Sequence, residues 1–216
     1  MKIVIIGAGI SGCSAYLALQ KHLPKPASPA QDHEYTIYEA YDTPRNLPTH
    51  HATGETHSAT LMVGGGLGIG PNGLNVLRRL DEELLHDAVR AGYPYSCSKL
   101  MNSYGWTLMR IPALGGTPPI NSVSISRHAI WNCLRNRIPD GVIVKQRVSA
   151  VIANPDGRNI VKFADGSPDV EADLVLGADG LKSTVKMALF PEAKEDPFPP
   201  HYEYVALLTM LRTGYG

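Results

Sequence analysis

An α/β architecture built around parallel strands is expected for this chain on three observations. The first is Ile3-Val4-Ile5-Ile6 running straight into Gly7-Ala8-Gly9-Ile10-Ser11-Gly12, a buried-type strand meeting a G-x-G-x-x-G turn and a helix start. The second is Tyr35–Glu39, an apolar strand that closes on an acid. The third is Leu174-Val175-Leu176-Gly177-Ala178, an apolar strand whose C-terminal end is made of small residues and leads into Asp179-Gly180. Together the first two form the dinucleotide signature of the Rossmann type.

The elements follow in order. Gly7 turns the chain, Gly9 leaves room for a pyrophosphate against the backbone, and Gly12 lets the new helix pack closely. The free N–H groups and partial positive charge of that helix face the phosphates. The helix carries Ala15, Leu17, Ala18 and Leu19 and stops near Pro24. Residues 24–33 are a proline-rich surface connection. Residues 41–63 are polar and irregular, with His50, His51 and His57 at spacings that match no metal-ligand pattern. A glycine block over 64–73 opens a helix through Leu74, Leu77 and Leu80, and a second amphipathic stretch runs from Asp81 to about Ala91. Alternation over 104–125, broken at Gly115-Gly116-Thr117-Pro118-Pro119, predicts strands joined by a loop. Ser126 caps a helix with Ile130, Cys133, Leu134 and Ile138 on one side. Short β-rich runs then cover 142–144, 148–152, 160–163 and 174–176, with Asp165-Gly166 as a hairpin turn. Ser183 and Thr184 are placed to open one more helix.

Composition narrows the function. Lys plus Arg equal Asp plus Glu at 20 each, so no basic excess recruits nucleic acid. No apolar run approaches the ~20 residues that span a bilayer, and the first apolar stretch breaks at Gly7, too early for a secretory core. Cys13, Cys97 and Cys133 are odd in number and unpaired in spacing, which predicts buried thiols in a reducing, cytoplasmic setting.

The candidate binding residues are few. Glu39 ends its strand where a carboxylate accepts hydrogen bonds from both ribose hydroxyls of an adenosine; the bland alternative is an exposed strand-end acid. An acid there disfavours a 2′-phosphate, which points to FAD or NAD rather than NADP. Arg127 follows the Ser126 cap at the positive end of its own helix, where a cation is mildly disfavoured unless an anion sits nearby. It is either that anion's partner or a solvated surface arginine. Asp179 sits where open α/β sheets place their ligands.

These segments also occur in a family order. Gly7, Gly9 and Gly12 with Glu39, the block Gly66 to Gly73, Ser126-Arg127-His128-Ala129-Ile130-Trp131 and Asp173 to Val185 resemble the single-component FAD-dependent monooxygenases, the aromatic-hydroxylase group typified by salicylate and p-hydroxybenzoate hydroxylases. The form is most similar to fungal enzymes that tailor secondary metabolites. The resemblance implies FAD as cofactor, with Gly7, Gly9 and Gly12 on its pyrophosphate and Glu39 on its ribose. It puts Gly64 and Gly65 beside the flavin, Arg127 against FAD, and Asp179 where FAD and NAD(P)H are handled. It further implies that NAD(P)H is a co-substrate and that one oxygen atom of O2 goes to a small aromatic, polyketide-like or terpenoid-like substrate by hydroxylation or epoxidation.

Residues 1–190 are then the FAD-binding domain, with an excursion over about 80–125, and 191–216 begin a partial β-rich substrate domain around a strand at Tyr202–Leu211. The family's later Gly-Asp segment is not found, so the chain reads as C-terminally shortened. A second expectation is therefore a catalytically incomplete FAD- or ADP-binding module that needs a partner chain. A third keeps FAD but changes the reaction, to a Baeyer–Villiger oxygenase, a halogenase or a reductase.

Overall fold

The computed structural model describes residues 1–26, 32–41, 65–112, 122–180 and 183–191. Gly64, His50, His51, His57 and the strand expected at Tyr202–Leu211 lie outside these residues.

A four-stranded parallel sheet carries the structure. Its strands are β1 (Lys2–Ile6), β2 (Glu34–Glu39), β8 (Ile143–Lys145) and β12 (Leu174–Gly177), in the order β12-β1-β2-β8. β1 pairs on both sides, Ile3 to Ile6 lying opposite Leu174 to Gly177 and Tyr35 to Tyr38. A strand covered on both faces reads as a continuous apolar run, and Ile3, Val4 and Ile5 are fully buried.

Helices cover one face. α1 (Ile10–His22), α2 (Pro71–Leu80), α3 (Glu82–Ala91) and α4 (Arg127–Arg135) enclose a core with Ile5, Ile37, Leu84, Val123, Trp131 and Leu134. Two of these helices start on a side-chain cap: at α3 Asp81 accepts from Glu83 N–H at 3.0 Å, and at α4 Ser126 Oγ accepts from Ala129 N–H at 3.1 Å. The opposite face is covered by an antiparallel sheet, β9 (Val148–Ile152), β10 (Asn159–Phe163) and β11 (Val170–Ala172), together with α5 (Thr184–Leu189). There Val4, Ile6 and Tyr38 meet Val161, Phe163 and Val185. Odd and even positions of β1 thus point into two different cores, the period-2 consequence of an extended chain.

The Asp165-Gly166 turn joins β10 to β11, with Gly166 at φ +76° and Ser167 N–H donating to Asp165 Oδ1 at 3.0 Å. Within the glycine block, Gly66–Ile69 forms β3, which sequence propensity does not suggest. It is held by antiparallel pairing to β7 (Ser122–Ser126), which also pairs with β4 (Tyr93–Tyr95). β5 (Cys97–Met101) and β6 (Thr107–Pro112) form a separate two-stranded hairpin with Leu100, Trp106, Leu108 and Met109 more than half exposed.

Candidate dinucleotide-binding cleft

The glycine motif divides its work between backbone strain, ligand room and packing. Gly7 has φ +101°, and its N–H donates to the Tyr38 carbonyl at 2.8 Å. A Cβ there would lie 2.4 Å from the Ala178 carbonyl oxygen, so the turn abuts the segment leading to Asp179. A Cβ on Gly12 would sit 1.9 Å from the Gly7 carbonyl oxygen; the close contact is between helix start and turn. Gly9 differs, because a Cβ there would meet nothing within 4 Å. It is the N-cap of α1, with no side-chain cap and no acid in the first turn. Those N–H groups and the helix dipole therefore face open space, the arrangement that receives a phosphate.

Between these glycines, Ala8 is held at both ends of its backbone. Its N–H donates to Glu39 Oε2 at 2.7 Å, and its carbonyl accepts from Trp131 Nε1 at 2.7 Å and from the Cys13 thiol at 3.3 Å. Glu39 Oε1 accepts from Tyr41 N–H at 3.0 Å. Each Glu39 oxygen thus takes a backbone donor, and a carboxylate has lone-pair capacity left for hydroxyls. Burial, outweighing the nearby Arg135 charge, pushes the Cys13 thiol up to about 12. It is a packing group under the loop and not a nucleophile.

Arg127 is the first residue of α4; its N–H donates to the Gly65 carbonyl at 2.9 Å, and its side chain runs beside Gly65. The Asp179 carboxylate accepts from Ser183 Oγ at 2.6 Å through one oxygen, and from Thr184 N–H at 2.6 Å and Thr184 Oγ1 at 2.8 Å through the other. Asp179 thereby anchors the start of α5, while Gly180, at φ +81°, turns the chain between them.

One cleft of about 490 Å³ gathers these parts. Gly7, Gly9, Glu39, Arg127, Asp179 and Gly180 all line it. The volume falls in the range of cofactor sites, and its floor is the C-terminal ends of β1, β2 and β12. Gly12 supports the loop from behind. Sequence reasoning does not find Tyr41, Gln146, Arg147 or Val148, which also line the cleft. Arg147 lies over the Tyr41 ring at 4.9 Å from its centroid, a contact between residues that no local pattern connects. One expectation is corrected: Cys13 and Cys133 are buried, but Cys97 is exposed, because it lies on the hairpin and not in a core strand.

The chain resembles known flavin monooxygenases in sequence and in fold. Over 230 residues, covering 100% of this chain and 25% of the relative, it is 25% identical to the FAD-dependent monooxygenase anuJ of Penicillium roqueforti. The chain is related to the FAD-dependent monooxygenases. A second relative is the dual trans-enoyl reductase/FAD-dependent monooxygenase tazHJ of Aspergillus terreus, 23% identical over 214 residues, 94% of this chain and 26% of the relative. The chain spans about a quarter of the length of both. HpxO of Klebsiella pneumoniae, solved with FAD and uric acid, shares the fold at TM-score 0.62 and 20% identity, over 87% of this chain and 41% of HpxO. No family model matches the chain. Among the described residues, no helix is long and apolar enough to cross a membrane.

Proposed function

We infer that this chain is the FAD-binding portion of a monooxygenase that uses NAD(P)H and O2 to hydroxylate or epoxidise a small organic substrate in secondary metabolism. The observation that carries the reading is the cleft that unites an uncapped helix start at Gly9, the carboxylate of Glu39 and the Asp179-Gly180 turn at the C-terminal ends of the parallel strands. The residues suit FAD. The N–H groups at the head of α1 would hold the pyrophosphate, Glu39 the ribose hydroxyls, and Arg127 would balance the phosphate charge from the facing helix. Gly65, with Gly64 before it, would border the flavin. Asp179 would keep Gly180 and the α5 start in place beside the pyrophosphate.

The chemistry that bound FAD supplies is transfer of reducing equivalents from NAD(P)H to O2, with one oxygen atom going to substrate. This chain's own residues bind and orient. Residues 1–190 would form the FAD-binding unit, and 191–216 would begin the substrate-binding one.

A second reading is favoured by the quarter-length match to the relatives: a nucleotide-binding module completed by another polypeptide. Titration with FAD and with ADP, followed by NAD(P)H oxidation under air, separates the two. Tight FAD binding with turnover supports the monooxygenase. ADP binding without turnover supports the module, and no binding of either nucleotide sinks both. Glu39→Ala should weaken ADP binding about 10- to 100-fold, the loss of hydrogen bonds to a charged acceptor.

A further inference from the structure

The β5–β6 hairpin pairs with no other strand among the described residues, and its tip is closed by Asn102. The Asn102 side-chain oxygen accepts from Tyr104 N–H at 3.0 Å and from Trp106 N–H at 2.9 Å. Gly105 N–H donates to the Asn102 carbonyl, and Asn102 N–H to the Trp106 carbonyl, each at 3.0 Å. Gly105 itself lies at φ +83°, which completes the turn. The tip thus satisfies its backbone donors at Asn102, Tyr104, Gly105 and Trp106, yet turns its largest side chains outward. Tyr104 is 85% exposed and Trp106 74%, and Leu100, Met101, Leu108 and Met109 are each half exposed or more. Leu100 and Met101 are consecutive on β5 and point to opposite faces, so the end of the ribbon is apolar all round.

The charges are ordered along the ribbon axis. None occurs from Leu100 to Met109, and the residues bracketing that run, Lys99 and Arg110, stand directly opposite each other across the two strands. Like charges in that position repel. Neither cation meets an acid among the described residues, and the sequence has no Asp or Glu from Ala88 to Pro139. From this pair to Asn102 the strand rises about 10 Å.

We propose that the hairpin docks on an anionic membrane surface, its tip entering the headgroup and acyl boundary while Lys99 and Arg110 meet the lipid anions. Tryptophan and tyrosine favour that boundary, with an apolar body and a polar handle. Apolar elements that lie in a membrane surface reach about 5–10 Å deep, which matches the length of ribbon beyond the cation pair. The two cations, unfavourable neighbours in water, gain from the negative potential of the leaflet. Bonding within the tip lowers the cost of taking its backbone out of water. A strand or helix docked on one face would leave either Leu100 or Met101 in water, whereas a bilayer covers both. None of these residues lines the nucleotide cleft, so the docking surface stands independently of the FAD reading.

The test is co-sedimentation of the full chain with vesicles of phosphatidylcholine alone, and of phosphatidylcholine and phosphatidylserine in equal parts. Tryptophan emission is read on the same samples. Trp131 is buried and Trp106, the other tryptophan of the chain, is exposed, so a blue shift on vesicles reports the hairpin tip. The native protein should bind the mixed vesicles more tightly, with a blue shift, and added salt should erase the preference. Lys99→Gln combined with Arg110→Gln should weaken binding to the mixed vesicles roughly 10- to 30-fold, the share of two cations at an anionic surface. Trp106→Ser should weaken binding to both vesicles roughly tenfold. Tyr93→Ser, which removes an equally exposed ring outside the hairpin, should change neither. Every variant should keep the native melting temperature, since each of these side chains is exposed. Absence of both sedimentation and blue shift in the native protein overturns the proposal, as does an equal loss in Tyr93→Ser and Trp106→Ser. A dimer in sedimentation velocity that Trp106→Ser converts to monomer assigns the hairpin to a second copy of the chain and also overturns it.

Discussion

The indole Nε1 of Trp131 donates a 2.7 Å hydrogen bond to the carbonyl of Ala8, 123 positions earlier in the chain. The indole is only 3% exposed, so the bond is shielded from water. It joins α4, the helix that begins with Arg127, to the loop between Gly7 and Gly9. Two elements that bound the cleft are thus fixed to each other by one side chain.

Trp131→Phe keeps most of the apolar volume and removes the donor. The Ala8 carbonyl then retains only the Cys13 thiol, a weak donor at 3.3 Å. We expect a stability loss of about 1–3 kcal/mol, the cost of an under-satisfied buried acceptor. Nucleotide affinity should fall as well, because the loop loses its tie to α4. Urea denaturation and an ADP titration on the same preparation check both.

Gly9 and Gly12 belong to one motif but should differ in how much stability an alanine costs. At Gly12 the new methyl would lie 1.9 Å from a backbone oxygen, so the loop or the helix must shift. The expected cost is about 1–3 kcal/mol or more, and nucleotide binding goes with it. At Gly9 the methyl enters open space, and the fold should lose about 1 kcal/mol or less at this N-cap. Gly9→Ala should still weaken ADP binding, since the methyl occupies the phosphate approach. Melting curves paired with titrations distinguish a structural glycine from a ligand-facing one.

Arg137 joins Asp81 at 2.5 Å and Asp87 at 2.9 Å while its own side chain is 16% exposed. The Arg137 hydrogen bond holds the Asp81 carboxyl below its ordinary value of 3.8. Asp87 is lowered by Arg90 first and by Arg137 next. A carboxyl depressed in the folded state stabilises it fully above the unfolded pKa, and that contribution is lost as pH falls through the folded value. The denaturation midpoint should therefore hold steady down to about pH 5 and drop below about pH 4. Arg137→Gln should flatten that drop and cost about 1–2 kcal/mol at neutral pH, the low end because both carboxylates keep contact with water.

The thiols give a quick check of the packing. Cys97 is exposed, whereas Cys13 and Cys133 are buried. Burial raises both buried thiols, Cys13 to about 12. In the native protein only Cys97 should react rapidly with a disulfide reagent near neutral pH, and all three thiols should react after denaturation.

Much of the candidate nucleotide site is legible in the sequence because its chemistry is local. The glycine turn, the acid that ends β2 and the Ser126 cap each sit within a few residues of the element that needs them. Asp179 is also legible as a position, since it follows an apolar strand. Its bonds to Ser183 and Thr184 follow from the same short segment. What could not be read depends on chain segments meeting across the fold. Arg147 finds Tyr41 only because β8 lies beside β2. Trp131, legible as a helical core residue, reaches Ala8 only once α4 packs on α1. β3 forms in a glycine-rich block because β7 pairs with it, and tertiary pairing outweighs its poor strand propensity.

The position of β12 beside β1 carries a consequence for biosynthesis. A ribosome releases Lys2–Ile6 well before Leu174–Gly177, the neighbour that completes its pairing. Until β12 is made, this strand, whose Ile3, Val4 and Ile5 are fully buried in the fold, has at best one of its two lateral partners. The long sequence separation slows closure of the sheet, and an uncovered apolar strand is open to association with other nascent chains. Yield from a cell should accordingly depend on chaperones that engage β1 as it emerges. Slowing elongation should help less than shielding that strand until its second partner has been made.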